Sequence, residues 1–591
     1  MKFEIKEEFY IDGKATRLIS GAVHYFRITP GKWHQSLFNL KAMGANTVET
    51  YVPWNLHEPR PNEFYFEHLA NLEKFIEEAQ DLGLYIILRP SPYICAEWEY
   101  GGLPAWLLKD HVRIRSQDPK FMSALERYYQ ELIPRIAKYQ YTNGGNVIMV
   151  QIENEYGSYS DDKVYLSKQK ELMERLGINV PFVTSDGGWK EVLEAGTLME
   201  EDILPTANFG SNAEKNFGAL QDFMAQHNVK KPLMCMEFWD GWFNNWGEPT
   251  IKRDPFETAE ETRKVLEMGS INFYMFHGGT NFGFYNGTSD TPNGNLPQVT
   301  SYDYDAPLTE SANPTAKYFA IKNEIQKLFP ENHFEDPIIS PTMAPPSVKV
   351  KRKVSLFNTL ETISEPIIND VTLPMEELDQ NYGYVLYETV RPIQETRMRT
   401  KLVEANDRAQ IYLNHELIET QYQDSLGRTF EVEAGNKTSH LQVLVENMGR
   451  NNYGRYLVAP HQRKGIRSGV MQDLHYISGW KHYPLSLDNT DQVDFDRGVS
   501  SGPTFYEFEF DVTEAKDTYL YIGNLGKGSA FLNDFNIGKY WKKGPFHTMF
   551  IPFDLLKVGK NKLVLFETEE VEITEIHFSS EPITIHPESI D

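Results

Sequence analysis

The sequence predicts an α/β protein: an N-terminal (β/α)8 barrel (TIM barrel) followed by two all-β sandwich modules. Three observations carry this. In residues 1–330, apolar strand-like runs alternate with amphipathic stretches, eight times over. Beyond Pro330 the pattern changes to short alternating β-type runs with frequent turn residues. Those later runs repeat internally.

The eight candidate strands are Arg17–Val23, Thr47–Tyr51, Leu84–Arg89, Val147–Ile152, Pro181–Ser185, Ala207–Phe209, Leu233–Met236 and Ser270–Phe276. Between them, stretches such as Leu69–Leu82 and Lys120–Tyr139 carry apolar residues at helical spacing. An open doubly wound sheet is the competing arrangement, but no Gly-rich dinucleotide loop follows the first strand. Residues 331–380 are rich in Pro (Pro337, Pro341, Pro345, Pro346) and read as a connector. Residues 381–495 and 496–591 read as the two β modules. Gly383 to Glu388 recurs as Gly502 to Glu507, and Leu413-Asn414 with Ile418 recurs as Leu532-Asn533 with Ile537. Glu388 to Glu507 and Leu413 to Leu532 are both separations of 119, which points to duplication. A Gly-to-Glu pattern closes each copy: Gly435, Leu441 and Glu446 against Gly559, Leu563 and Glu567. The stretch Arg450–Asp496 between the copies is Gly- and aromatic-rich, the composition of a functional loop.

With 591 residues, the chain is too long for one core. Its formal net charge of −26 argues against nucleic acid or an anionic membrane as partner, since both would repel it. Met1 to Lys14 alternates charged and apolar residues and does not read as a signal peptide. No run approaches the ~18 apolar residues of a membrane-spanning helix. Cys95 and Cys235 are the only cysteines, which excludes a disulfide framework and fits a reducing, cytoplasmic setting. Asn286-Gly-Thr and Asn436-Lys-Thr match the glycosylation pattern but are expected to be chance matches.

Glu155 and Glu237 follow two similar apolar runs, the fourth and seventh of the eight. A parallel barrel presents catalytic groups at the C-terminal ends of its strands, and paired carboxylates are the working parts of a glycosidase. Glu153 competes with Glu155, because residues two apart share a face of a regular strand. Glu153 is expected to be a supporting carboxylate, and Glu155 the reacting one. Asn154 is an amide suited to a sugar hydroxyl, or else a strand-end turn residue. The 16 His are scattered without His-Glu-x-x-His spacing, and His57 and His277 read as packing at the barrel mouth, so neither a metal nor another cofactor is expected.

The run Gly144-Gly-Asn-Val-Ile-Met-Val-Gln-Ile-Glu153-Asn154-Glu155-Tyr156 resembles the signature of the glycoside hydrolase family 35 β-galactosidases. That pattern often has Pro where this chain has Asn146. The resemblance continues in order through Thr50–Pro59, Cys95–Trp106, Glu237–Trp242, Tyr274–Phe282, Thr300–Pro307 and, in the tail, Glu446–Gly454. It implies Glu155 as general acid/base and Glu237 as nucleophile of a retaining double displacement. It implies galactose contacts from Tyr51, Glu97, Asn154 and Tyr304, a further active-site tyrosine at Tyr274, aromatic walls from Trp239 and Trp242, and contacts from Tyr302 and Tyr453. For Glu97 the alternative is a salt bridge with Arg89. The β modules are then expected to be jelly-roll, galactose-binding-like domains.

The resemblance extends to bacterial cytoplasmic members. It implies an exo-acting β-galactosidase removing terminal galactose, β-1,3-linked to N-acetylhexosamine, with an oligosaccharide as partner. Two alternatives stay open: an exo-glucosaminidase or other exo-glycosidase on the same scaffold, and a non-catalytic glycan-binding protein. A homodimer through the β modules also stays open.

Overall fold

The computed structural model describes residues 2–291, 294–391, 398–432 and 438–585. Asn436 and the Gly435 of the repeat lie outside the described residues.

Eight parallel strands close into a barrel: β1 (Ile19–Val23), β2 (Thr47–Tyr51), β3 (Tyr85–Arg89), β4 (Val147–Gln151), β5 (Phe182–Gly187), β6 (Leu204–Asn208), β7 (Met234–Trp239) and β8 (Ser270–His277). Each matches a run anticipated from the sequence. The helices lie outside, and their ends follow local chemistry. In the helix Pro119–Ala137, the Asp118 side chain accepts from the backbone N–H groups of Lys120 and Phe121, and Pro119 starts the first turn. Strands β1 to β8 are buried almost throughout, as a sheet covered on both faces requires.

The two ends of the barrel differ. Below, Phe3–Ile5, Phe9–Ile11 and Lys14–Ala15 form a small antiparallel sheet. Its Phe3, Phe9 and Ile11 pack with Ile87, Met149, Val183, Leu204 and Met234 and seal that end with hydrocarbon. Toward the C-terminal end the interior turns polar, with Glu49, Arg89, Gln151, Asn208 and Asn272 all buried.

The repeat is visible as topology. In the first module, Tyr384–Arg391, Ser439–Glu446, Arg408–Leu413 and Glu416–Gln421 lie side by side in that order. In the second, Thr504–Val512, Gly559–Glu567, Lys527–Leu532 and Phe535–Trp541 repeat it. The recurring Leu-Asn marks the same two-residue hairpin. Asn414 and His415, like Asn533 and Asp534, have positive φ. The Oδ1 of each asparagine accepts from a backbone N–H of the neighbouring strand, His440 in one copy and Lys562 in the other.

Residues 331–380 do more than connect. Arg352–Ser355 pairs with Thr504–Val512 of the second module, and Ile367–Asn369 with Trp480–Leu485 of the first. Both modules are anchored to the barrel. The buried Lys32 pairs with Asp517 at 2.7 Å, and Arg450 bridges Glu99 and Glu376. Asn286 is buried and donates to the Met448 carbonyl, so its side chain is committed to packing rather than open to a glycan.

Candidate active site

A cavity of about 660 Å³ opens at the C-terminal end of the barrel. Glu155 and Glu237 both line it, with Tyr51, Glu97, Asn154, Trp239, Trp242, Tyr274, Tyr304 and Tyr453. Of the residues anticipated from the sequence, Tyr302 alone is outside the lining. It stands behind Glu97, with its hydroxyl donating to Glu97 Oε2 at 2.5 Å.

Glu237 is aimed by a bulge. Strand β7 slips register against β6 between Cys235 and Glu237, and against β8 between Cys235 and Phe238. The Asn272 side chain donates to the Met236 carbonyl inside this irregularity at 2.8 Å. A bulge of this kind re-aims a side chain without ending the strand. One Glu237 oxygen is then heavily held: Arg89 donates to Oε1 at 2.7 Å, and the Tyr51 hydroxyl lies 2.5 Å from the same atom. The other, Oε2, has a single long contact from Trp239 Nε1 at 3.2 Å. A carboxylate anchored through one oxygen keeps the second for chemistry.

Glu153 and Glu155 do not share a face, contrary to the regular-strand expectation. Strand β4 ends at Gln151, and both glutamates take left-handed backbone conformations, φ 52° and 45°. Their side chains therefore diverge. Glu153 is buried and fully occupied: Arg115 donates to both of its oxygens, the Tyr165 hydroxyl to Oε1, and the Asn154 backbone N–H to Oε2. That is the environment of the supporting carboxylate expected at Glu153. Glu155 turns into the cavity, where Asn208 Nδ2 donates to its Oε1 at 3.1 Å.

Asn154 is oriented by its neighbours. Its Oδ1 accepts from Arg89 at 2.7 Å and lies 2.9 Å from the Tyr51 hydroxyl and 3.2 Å from Gln151 Nε2. The guanidinium of Arg89, a donor only, settles which end is the amide oxygen, and Nδ2 keeps only a 3.4 Å contact to the Ile94 carbonyl. A donor is left for a ligand hydroxyl. Glu97 follows Cys95 and Ala96, all three with φ near +50°, a cost of about 1–3 kcal/mol per residue that surrounding structure must hold in place. Its salt-bridge alternative does not occur, because Arg89 is engaged by Glu237 and by Glu49 at 3.6 Å.

Burial and charge set the proton affinities. Burial, then the negative charge of Glu237, raises the Glu155 carboxyl from 4.5 to about 7. Burial raises Glu97 to about 7, against the hydrogen bond from Tyr302 and the charge of Arg27. Glu49, beneath Arg89, is raised to about 7 by burial. His57 and His277 are pushed down to about 4 and about 3 by burial, and each is hydrogen-bonded within the fold: His57 to Tyr25 and the Tyr65 carbonyl, His277 to Ser36 and the Glu310 carbonyl. Among the described residues no group of three His, Cys, Asp or Glu is placed to hold a metal ion.

Sequence reasoning missed Arg89 and Asn208 as site residues. Each ends an apolar barrel strand with a polar group, the same signal that exposed the glutamates. It also missed Trp189, Phe243, Asn452 and Arg455, which line the cavity from loops. The first two carry no local pattern, and the last two arrive from the Gly- and aromatic-rich stretch that follows Glu446 in the first β module.

The pattern of "Glycosyl hydrolases family 35" matches residues 8–328. Those of "Beta-galactosidase, first all-beta domain" and "Beta-galactosidase, galactose-binding domain" match residues 372–486 and 503–561. The chain is 38% identical to "Beta-galactosidase" of Xanthomonas manihotis, covering 91% of this chain and 89% of that one. It is 37% identical to "Beta-galactosidase 17" of Arabidopsis thaliana, over 96% of this chain and 87% of the other. It is 35% identical to "Beta-galactosidase" of Homo sapiens, over the same two shares, 96% and 87%.

Proposed function

The chain belongs to glycosyl hydrolases family 35 and is a β-galactosidase, and we propose that it removes terminal non-reducing β-galactose with retention of configuration. Glu237 attacks C1 through Oε2 while Glu155 protonates the departing oxygen. The observation that carries this is the unequal environment of two carboxyls in one cavity: Glu237 is anchored beside Arg89, while Glu155 is raised to about 7 and so holds a proton near neutrality.

The same charge relation supports the second half of the cycle. Once Glu237 is esterified its negative charge is gone, and one of the causes raising Glu155 goes with it. Glu155 then becomes the stronger acid, and its carboxylate accepts a proton from the incoming water. Tyr51, Glu97, Asn154, Tyr274 and Tyr304 surround the galactose, with Tyr302 orienting Glu97 from behind. Trp239 and Trp242, edge to face at 5.8 Å, wall the side toward the leaving sugar. These apolar ring surfaces support N-acetylhexosamine there, in β-1,3 linkage. The unpaired cysteines, Cys95 and Cys235, support a reducing, cytoplasmic setting.

A panel of β-1,3, β-1,4 and β-1,6 galactosyl disaccharides tests the reading, with NMR of the first-formed anomer. The β-1,3 N-acetylhexosamine substrate is expected to have the highest kcat/KM and to yield β-galactose first. An α-galactose first product overturns the mechanism, and equal rates on all three linkages overturn the preference.

A further inference from the structure

A second cavity, of about 1090 Å³, adjoins the first between the barrel and the first β module. Ser158, Gly454 and Arg455 line both. Its charge runs against that of the molecule. The chain carries 58 Lys and Arg against 84 Asp and Glu. This cavity has five arginines against two carboxylates, Asp162 and Glu404.

Most of that positive charge is uncommitted. Arg115 is spent on Glu153. Among the described residues Arg113 and Arg455 have no carboxylate within ion-pair distance; Arg455 meets the Tyr456 hydroxyl at 3.0 Å. Arg463 pairs with Glu377 through Nη2, yet its Nε is buried without an acceptor. Arg467 donates through Nε to the Glu404 backbone carbonyl, and its Nη1 is likewise buried and unpaired. The Glu404 carboxylate accepts from Ser468, and Asp162 caps a helix and accepts from Gln117. The buried Arg463 Nε and Arg467 Nη1 are closed off from the cavity; what meets an entering oxyanion is the rest of the guanidinium groups that line it, with Arg113 and Arg455 free of a carboxylate partner, and a guanidinium binds an oxyanion in a fixed fork geometry.

We propose that this cavity is a subsite for an anionic group, a sulfate or carboxylate, on the part of the oligosaccharide beyond the leaving oxygen. The inference rests on the reading of the first cavity as the galactosidase site. A leaving portion that passes Gly454 and Arg455 enters the arginine-lined space, so acidic glycans are the preferred class. The preference is electrostatic and falls as salt screens it.

The test compares three galactosyl-β-1,3-N-acetylglucosaminyl trisaccharides. They are identical except that the third sugar is neutral, sulfated or a uronic acid. The acidic pair is expected to exceed the neutral one by about tenfold in kcat/KM at low ionic strength, mainly through KM, with the gap closing in high salt. The R463Q/R467Q double variant should erase the gap while leaving the neutral trisaccharide and an aryl β-galactoside unchanged. Should that variant fail on the aryl substrate, Arg113→Gln, at an exposed position, carries the test in its place. Equal kcat/KM for acidic and neutral substrates in the parent enzyme overturns the subsite, as does a gap the folded variant retains. A sulfated substrate preferred without the uronic one narrows the ligand to sulfate. Failure on every galactoside would instead count against the reading of the first cavity.

Discussion

Two buried arginine–glutamate–tyrosine clusters stand in this barrel, and only one presents its glutamate to the cavity at the barrel mouth. In the first, Arg89 lies 3.9 Å over the Tyr51 ring and holds Glu237 at 2.7 Å. In the second, Arg115 lies 3.7 Å over the Tyr93 ring and holds Glu153 at 2.9 Å. Residue types, burial and distances nearly coincide. The difference is in the second carboxylate oxygen. Glu153 has donors on both oxygens, including the Tyr165 hydroxyl and the Asn154 N–H. Glu237 has one oxygen loaded and one nearly free. Saturation turns a carboxylate into a strut; leaving one oxygen open makes it available to react.

The comparison can be broken at several points. Glu237→Gln should abolish steady-state turnover on every galactoside while the protein stays folded, as judged by circular dichroism. Turnover near the parent rate would dissolve the distinction. Glu155→Gln should cost about 10²–10⁴-fold in kcat on a disaccharide, the range of a lost general acid. An aryl galactoside with a good leaving group should still release its phenol in a burst, measured by stopped flow.

Glu153→Gln addresses the strut. It leaves Arg115 buried without its counter-ion, a loss of about 3–5 kcal/mol for a broken buried pair. The midpoint of urea unfolding should drop sharply while the folded fraction keeps the greater part of its turnover. Loss of turnover without loss of stability would make Glu153 a reacting group.

The smallest effect is in pH. Glu155 binds its proton more tightly when folded than at its ordinary 4.5, so its acid form persists up to about 7 and is lost above that. kcat/KM should therefore fall on the alkaline side through an apparent value near 7, shared among Glu155, Glu97 and Glu49 rather than owned by one. In Glu237→Gln the Glu155 carboxyl should titrate lower, since one cause of its rise is gone. Carbon-13 NMR of labelled glutamates reads this directly; an unchanged or higher value would show the two carboxyls do not interact.

Legibility followed the range of the interactions. The eight barrel strands were readable because each buries its own apolar run on both faces, and that requirement is written locally. The β-module repeat was readable at Leu413-Asn414 and Leu532-Asn533, since a two-residue hairpin needs positive φ where Asn is tolerated. Glu155 and Glu237 showed because a charge at the end of a buried run is costly without a role. The preference for Glu155 over Glu153 was legible, but not the geometry that separates them. Left-handed turns at both residues separate them, and the Arg115 and Tyr165 that hold Glu153 come from elsewhere in the barrel.

By itself, then, the sequence determined the barrel, the duplicated β modules and the pair of strand-end glutamates. Each rests on residues adjacent in the chain or on hydrophobic periodicity. Tertiary structure alone decided which oxygen of Glu237 stays open, that Arg89 serves Glu237 rather than Glu97, and that Tyr302 acts from behind Glu97. It also decided that strands in residues 331–380 join both modules, and that Arg455 reaches the barrel mouth. Those outcomes depend on contacts between residues tens to hundreds of positions apart, where the balance of burial, charge and hydrogen bonding exists only after the chain has closed on itself.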